Sequence, residues 1–215
     1  NYKVFNGNFN YIIEAAEAIN QGFNQLFDSN ISIDKDDIPA GTISIMGNMA
    51  HYSWIMSYIF TSAGCTDSGI SELRRAIEFT CYITKLNKNE ERVKAWMSHR
   101  EDEEARVKFT RECKIPDAYR GKKYRKLRPL IVGYMHANYY GSHGNFETIA
   151  FKELCLEEDR YRVSYFAKEE HISMAAMLVV LLGYRILDIL FNYYKPYLKI
   201  AEEEQLILKR YLADT

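Results

Sequence analysis

Ser71-Glu-Leu-Arg-Arg-Ala-Ile-Glu-Phe-Thr-Cys81 is the stretch that decides the fold. Leu73 and Ile77 stand one helical turn apart, and so do Arg74 and Glu78, so an ion pair sits at the edge of an apolar stripe. Arg74, Glu78, Cys81 and Lys85 share one face of this helix, while Arg75, Phe79, Tyr82 and Leu86 share another. Asp67 or Ser68 is the expected cap, and the pattern runs to about Leu86. Such a helix belongs in an all-helical bundle, with a polar spot inside or beside it.

The neighbouring segments read the same way. Asn8 can cap a first helix through about Phe27, with Phe9, Ile12, Ile13, Ala16, Ile19, Phe23 and Leu26 on one face. A polar connection follows, in which Ile31 and Ile33 alternate briefly as a strand does. A second helix runs from about Thr42 to Ala63 on the seam Met46, Met49, Ser53, Met56 and Phe60. Asn89 to Cys113 is helical but charged, anchored only by Val93, Trp96 and Met97, and Pro116 closes it. A fifth helix spans about Pro129 to Tyr140, and Arg160 to Phe166 alternates in a way that permits a short strand. Glu169 to Tyr194 is the long central helix. Its uncharged run, Ile172 to Tyr184, is too short to span a bilayer and ends at Arg185 and Asp188. Pro196 opens a last helix. The expectation is an all-α chain, a single helical domain over residues 1–215 with six or seven helices and at most a short strand pair.

Composition agrees. The 215 residues hold 17 Tyr and 11 Phe against only 4 Pro and 11 Gly, which favours long helices over many short strands. With a net charge of −1 the molecule as a whole does not attract nucleic acid, so any such binding needs a local patch. Cys65, Cys81, Cys113 and Cys155 lie far apart without a Cys-x-x-Cys pair, so reduced thiols are expected. No basic-then-apolar leader opens the sequence, and the expected compartment is the cytoplasm, with no membrane partner.

Three constellations carry chemistry. Arg74 or Arg75, held by Glu78, can offer its guanidinium to a phosphate or carboxylate; the plain reading is an i,i+4 pair worth a few tenths of a kcal/mol. If that pair is well buried, removing Glu78 should cost about 3 kcal/mol. In Tyr139-Tyr-Gly-Ser-His143-Gly-Asn145 the glycines mark a helix end, and His143 sits there beside Ser142. His136 and His143 can serve as acid and base, with Asn138, Tyr139 or Ser142 to orient them, or His143 simply caps carbonyls. Lys114, Arg120, Lys122, Lys123, Arg125, Lys126 and Arg128 form a basic segment with only Asp117 against them. Its Lys and Arg suit phosphates, and Tyr119 and Tyr124 suit stacking on unpaired bases. The acidic runs Glu101–Glu104 and Glu157–Asp159 could equally balance it.

A metal bundle would draw on Glu14, Glu17, Glu78, Glu170, His51 and His171. Glu170 and His171 are adjacent rather than three apart, so neither metal nor cofactor is expected. There is no glycine-rich phosphate loop and no Gly-x-Ser-x-Gly elbow.

Leu73-Arg-Arg-Ala-Ile-Glu78, followed by Tyr140-Gly-Ser-His143 before a closing pair of long helices, resembles an uncharacterised family of bacterial helical proteins. That family is itself similar to the HEPN (higher eukaryotes and prokaryotes nucleotide-binding) superfamily, and the resemblance covers roughly Tyr52 to Tyr194. Its ribonuclease members use an Arg and, a few residues further along the same helix, a His to cleave RNA without metal, usually at a dimer interface. Here the counterpart is Arg128 and His136, more widely spaced and with Pro129 and Gly133 between them.

Two functional expectations follow. The first is a binding or interaction protein, a stress or defence component, taking RNA, a protein partner or a phosphorylated ligand without catalysis, free of any cofactor and able to form a homodimer. The second is a metal-independent ribonuclease with His136 or His143 as acid–base and Arg74, Arg75 or Arg128 stabilising the phosphorane. A metal-binding bundle enzyme stands third.

Overall fold

The computed structural model describes residues 9–27, 33–34, 36–141, 152–157, 160–167 and 169–195. Among them are seven α-helices: α1 Asn10–Phe27, α2 Ile38–Ser62, α3 Thr66–Leu86, α4 Glu90–Ser98, α5 Glu103–Cys113, α6 Arg128–Gly141 and α7 Glu169–Tyr194. Two 3₁₀ turns, Asp117–Tyr119 and Lys122–Leu127, lie between α5 and α6. An antiparallel strand pair, β1 Lys152–Glu157 and β2 Arg160–Ala167, joins α6 to α7, with Leu154 opposite Val163. The helical bundle with a short strand pair is thus as the sequence reads. Asn8, Ile31, Ser142 to Asn145 and the segment from Pro196 lie outside the described residues.

Helix ends show where sequence reading was displaced. α2 begins at Ile38 rather than Thr42, because Asp37 accepts the Ala40 N–H at 2.9 Å and Pro39 is tolerated in a first turn. α3 begins at Thr66 after Cys65, which makes no side-chain cap bond, rather than at a cap on Asp67 or Ser68. The cause is Gly64: its φ of 90° lets Cys65 N–H reach Phe60 O and its own N–H reach Thr61 O, which closes α2 and feeds straight into α3. The charged stretch Asn89–Cys113 is two helices, not one. Asp102 takes the N–H groups of Glu104 and Ala105 and starts α5 afresh. That break lets Phe109 and Cys113 join Val93 in the core, while Met97 stays exposed.

α3 sits at the centre, packed against α2, α6 and α7, with Leu73, Ala76, Ile77, Cys81, Ile83 and Leu86 fully buried. α1 and α2 close on α7 through Phe23, Leu26, Trp54, Val179, Ile186 and Leu190. The Trp54 indole donates to Val179 O at 3.0 Å, and Gly183 one turn further along α7 lies flat against the ring, where any Cβ would collide with it. At the end of α7 the buried Tyr194 hydroxyl donates to Ile43 O of α2. By length and composition alone α7, 26 residues, could cross a membrane, because apolar residues continue past Asp188 through Phe191. Yet Ala176, Val179, Leu182, Ile186 and Leu190 line the core of this bundle.

Gly183→Ala should therefore push Trp54 off Val179, lowering stability by about 2 kcal/mol, as overpacking does. Trp54→Phe should lose the hydrogen bond and some packing, about 1–2 kcal/mol. Urea midpoints with unchanged m values check both.

Candidate functional site

The polar spot lies where α3 meets α6. On α3, Arg74 Nε lies 3.3 Å from Glu78 Oε1, with 33 % and 22 % of the two side chains exposed. On α6, Leu130, Gly133 and Ala137 are buried, which turns Tyr134 and Asn138, one turn apart, along the margin of that face. The Tyr134 hydroxyl interacts with both the Glu78 carboxylate and the Asn138 side chain. The four side chains, Asn138, Tyr134, Glu78 and Arg74, meet at this margin. Burial raises the Tyr134 phenol above its ordinary range, the Asn138 bond opposes this, and the Glu78 charge adds to it. At pH 7 Tyr134 is a neutral donor.

Tyr134 and Asn138 also form part of the wall of a cleft of about 380 Å³, shared with Tyr82, Phe109, Cys113 and Lys114. Tyr82 and Phe109 meet edge to face, centroids 5.2 Å apart. Cys113 is buried, and burial pushes its thiol up to about 11, against the pull of Lys85 and Arg92. Behind it Lys85 is buried too. Its ammonium donates to Ala118 O at 2.7 Å and lies over the rings of Tyr119 and Tyr124, at 4.9 and 4.8 Å. Arg92 ties α4 to α5 through Glu112 at 2.7 Å, so the wall carrying Cys113 is held from outside.

Among the described residues, the other predicted catalytic residues are not gathered here. His136 is exposed, two positions from both Tyr134 and Asn138 and hence about 200° round α6 from each. Arg128 is exposed at the start of α6, roughly 12 Å along the axis from His136, too far to share one phosphate. His143 lies outside the described residues. Arg75 pairs with Glu72 at 3.0 Å and not with Glu78.

Arg120, Lys122, Lys123, Arg125, Lys126 and Arg128 are all exposed, as a binding segment requires. Arg120 is paired with Asp117 at 2.6 Å. The tyrosines are a correction: Tyr119 and Tyr124 are only 2 % and 8 % exposed, turned into the core to meet Lys85, so neither can stack on a base. Of the two acidic runs, Asp102 caps α5 and Glu103 pairs with Arg106 at 2.9 Å, while Glu158 and Asp159 lie outside the described residues.

Of the metal-bundle candidates, His51 Nε2 is 2.9 Å from Asn20 Oδ1 and its ring stacks on Phe23, while Glu14, Glu17 and Glu170 are exposed. Among the described residues no three His, Cys, Asp or Glu converge as metal ligands would.

Sequence reading missed Tyr134, Tyr82, Cys113 and Lys85 as parts of one site. The signal for Tyr134 was present in its i,i+4 spacing to Asn138 on a helix whose other inward residues are apolar. Compared with protein-family models, with curated proteins and with solved structures, the chain matches none.

Because Arg74 and Glu78 are part-exposed, the 3 kcal/mol expected of a well-buried pair is too large. Glu78→Ala should cost about 1–2 kcal/mol, mostly through the stranded Tyr134 hydroxyl. In Tyr134→Phe the additional cost of Glu78→Ala should shrink, a coupling that a double-mutant cycle reads directly.

The thiol gives a pH prediction. An unfolded chain releases the Cys113 proton from about pH 9.0, while the folded chain holds it to about 11. The unfolded form thus binds fewer protons in that window, so the Cys113 contribution is intact below pH 9 and is lost as pH rises to 11. Buried Tyr82, Tyr119 and Tyr194, all raised by burial, push the same way. Melting temperatures should be level from pH 7 to 8.5 and fall between pH 9 and 11. At pH 8 iodoacetamide should modify half-exposed Cys65 well before Cys113.

Proposed function

We propose that this chain is a helical binding protein of HEPN-like type that recognises a phosphorylated ligand or RNA without cleaving it. The observation that carries the reading is that Tyr134, which lines the 380 Å³ cleft with Asn138, also interacts with the Glu78–Arg74 pair. Each member is oriented by its neighbour, which suits recognition by fixed donors and acceptors. The cleft is of a size for a small ligand, with aromatic walls, an amide on one side and Lys114 as its cation.

The exposed basic residues from Arg120 to Arg128 supply the phosphate contacts, now by charge alone because the tyrosines face inward. A cytoplasmic setting is supported by the unpaired thiols of Cys65, Cys81 and Cys113. A stress or defence role rests on the resemblance of the Leu73–Glu78 and Tyr140–His143 motifs. The ribonuclease alternative needs an Arg and a His at one phosphate, and Arg128 and His136 are poorly placed for it.

A short fluorescein-labelled single-stranded RNA tests the reading by anisotropy. Four phosphate contacts should weaken binding by about 50-fold between roughly 50 and 200 mM salt. The variant with Lys122, Lys123, Arg125 and Lys126 all replaced by Ser should bind less and flatten that slope. The RNA should stay intact on a gel throughout. Salt-insensitive binding, or none at low salt, removes RNA as the ligand; cleavage lost in His136→Ala or His143→Ala would turn the assignment to the enzyme.

A further inference from the structure

The α2 helix contains no Asp, Glu, Lys or Arg in its 25 residues. A helix with one face in water ordinarily carries charges there. Instead Ile38, Ile45, Met49, Tyr52 and Ile59 are 41–63 % exposed. Each leaves on the order of 100 Å² in solvent, about 500 Å² in all, which is as large as the largest apolar patch on an ordinary monomer.

The spacing of the patch says what covers it. Ile38, Ile45, Tyr52 and Ile59 recur at intervals of seven, the seam that a second helix follows at a shallow crossing angle. The stripe is also symmetric about its own midpoint between Asn48 and Met49. Reversed end to end, Ile38 falls on Ile59 and Ile45 on Tyr52. A twofold interface requires such self-complementarity, since whatever residue i meets must meet i in return.

Two further features fit a second copy. A groove of about 510 Å³ beside the seam is lined by Ile45, Met49, Tyr52, Arg75 and Phe79, so ridge and recess belong to one patch. Arg75, the charged residue lining that groove, is already paired with Glu72 at 3.0 Å, so two copies set no unpaired like charges face to face. With Asn48, Arg75 and Phe79 added, the face approaches the roughly 800 Å² per partner of a standard interface.

We propose that this face of α2 is a twofold interface between two copies of the chain, the α2 helices antiparallel with Ile45 of each against Tyr52 of the other. The inference is independent of the ligand assigned to the α3–α6 cleft.

Light scattering on the eluting full chain at about 50 µM should give twice the 25.2 kDa of one chain. Ile45→Lys and Tyr52→Lys, both at exposed positions, should raise the dimer dissociation constant at least about 100-fold while keeping the parent's helical circular dichroism and melting profile at low concentration. A short bis-maleimide should link Asn48→Cys into dimers above the parent's background and should not link Met97→Cys, exposed on α4. A parent that is monomeric at every concentration overturns the proposal, as does a dimer untouched by both lysines. So does a monomer that instead sediments with anionic lipid vesicles, which would make the face a membrane surface.

Discussion

A buried indole that donates to a carbonyl inside a neighbouring helix constrains two helices at once. Val179 O already belongs to the hydrogen-bond ladder of α7, and its second lone pair takes the Trp54 N–H. The indole reaches it only because Gly183 leaves the helix surface bare at that point. The rotation of α7 about its axis is therefore tied to the position of α2. Phe23 and His51 stack into the same aromatic column, which brings α1 to the same junction. Tyr194 repeats the device at the other end of α7 by donating to Ile43 O.

With α2 and α7 fixed, α3 has one slot, and its two faces acquire different work. Leu73, Ile77 and Cys81 fill the core, while Arg74 and Glu78 reach the margin where α6 arrives. α6 comes close to α7 through Gly133, which lies against Leu182. That approach sets the height of Tyr134 and Asn138 relative to Glu78. The polar run is thus a consequence of packing that takes place on the opposite side of the same helices. Its members need no long-range electrostatics to find each other, because the helices deliver them within hydrogen-bond reach.

Much of the fold was legible because helical periodicity survives in single residues: Phe23 and Leu26, Leu73 and Ile77, and the full length of Glu169–Tyr194 are where the spacing puts them. What periodicity cannot show is rotation and depth. Lys85 reads as a solvated charge on a helix face, yet it is buried because two tyrosine rings and the Ala118 carbonyl replace its water. Tyr119 and Tyr124 read as exposed because their neighbours are basic, and that partnership from thirty-odd positions away turns them inward. The candidate site was half legible. Arg74 and Glu78 came from one helix and one spacing rule, whereas Tyr134 and Asn138 joined them only through the crossing of α3 and α6, a tertiary fact.

The junction of Trp54 with α7 is tested most directly by hydrogen exchange of the two tryptophan indoles, resolved by nuclear magnetic resonance. Trp96, the other tryptophan, is half-exposed on α4 and serves as the internal reference. If α2 and α7 are locked together, the Trp54 indole proton should exchange only by global unfolding, with the same free energy as the slowest backbone amides of α7. An indole proton on Trp54 that exchanges as fast as that of Trp96 would contradict the account.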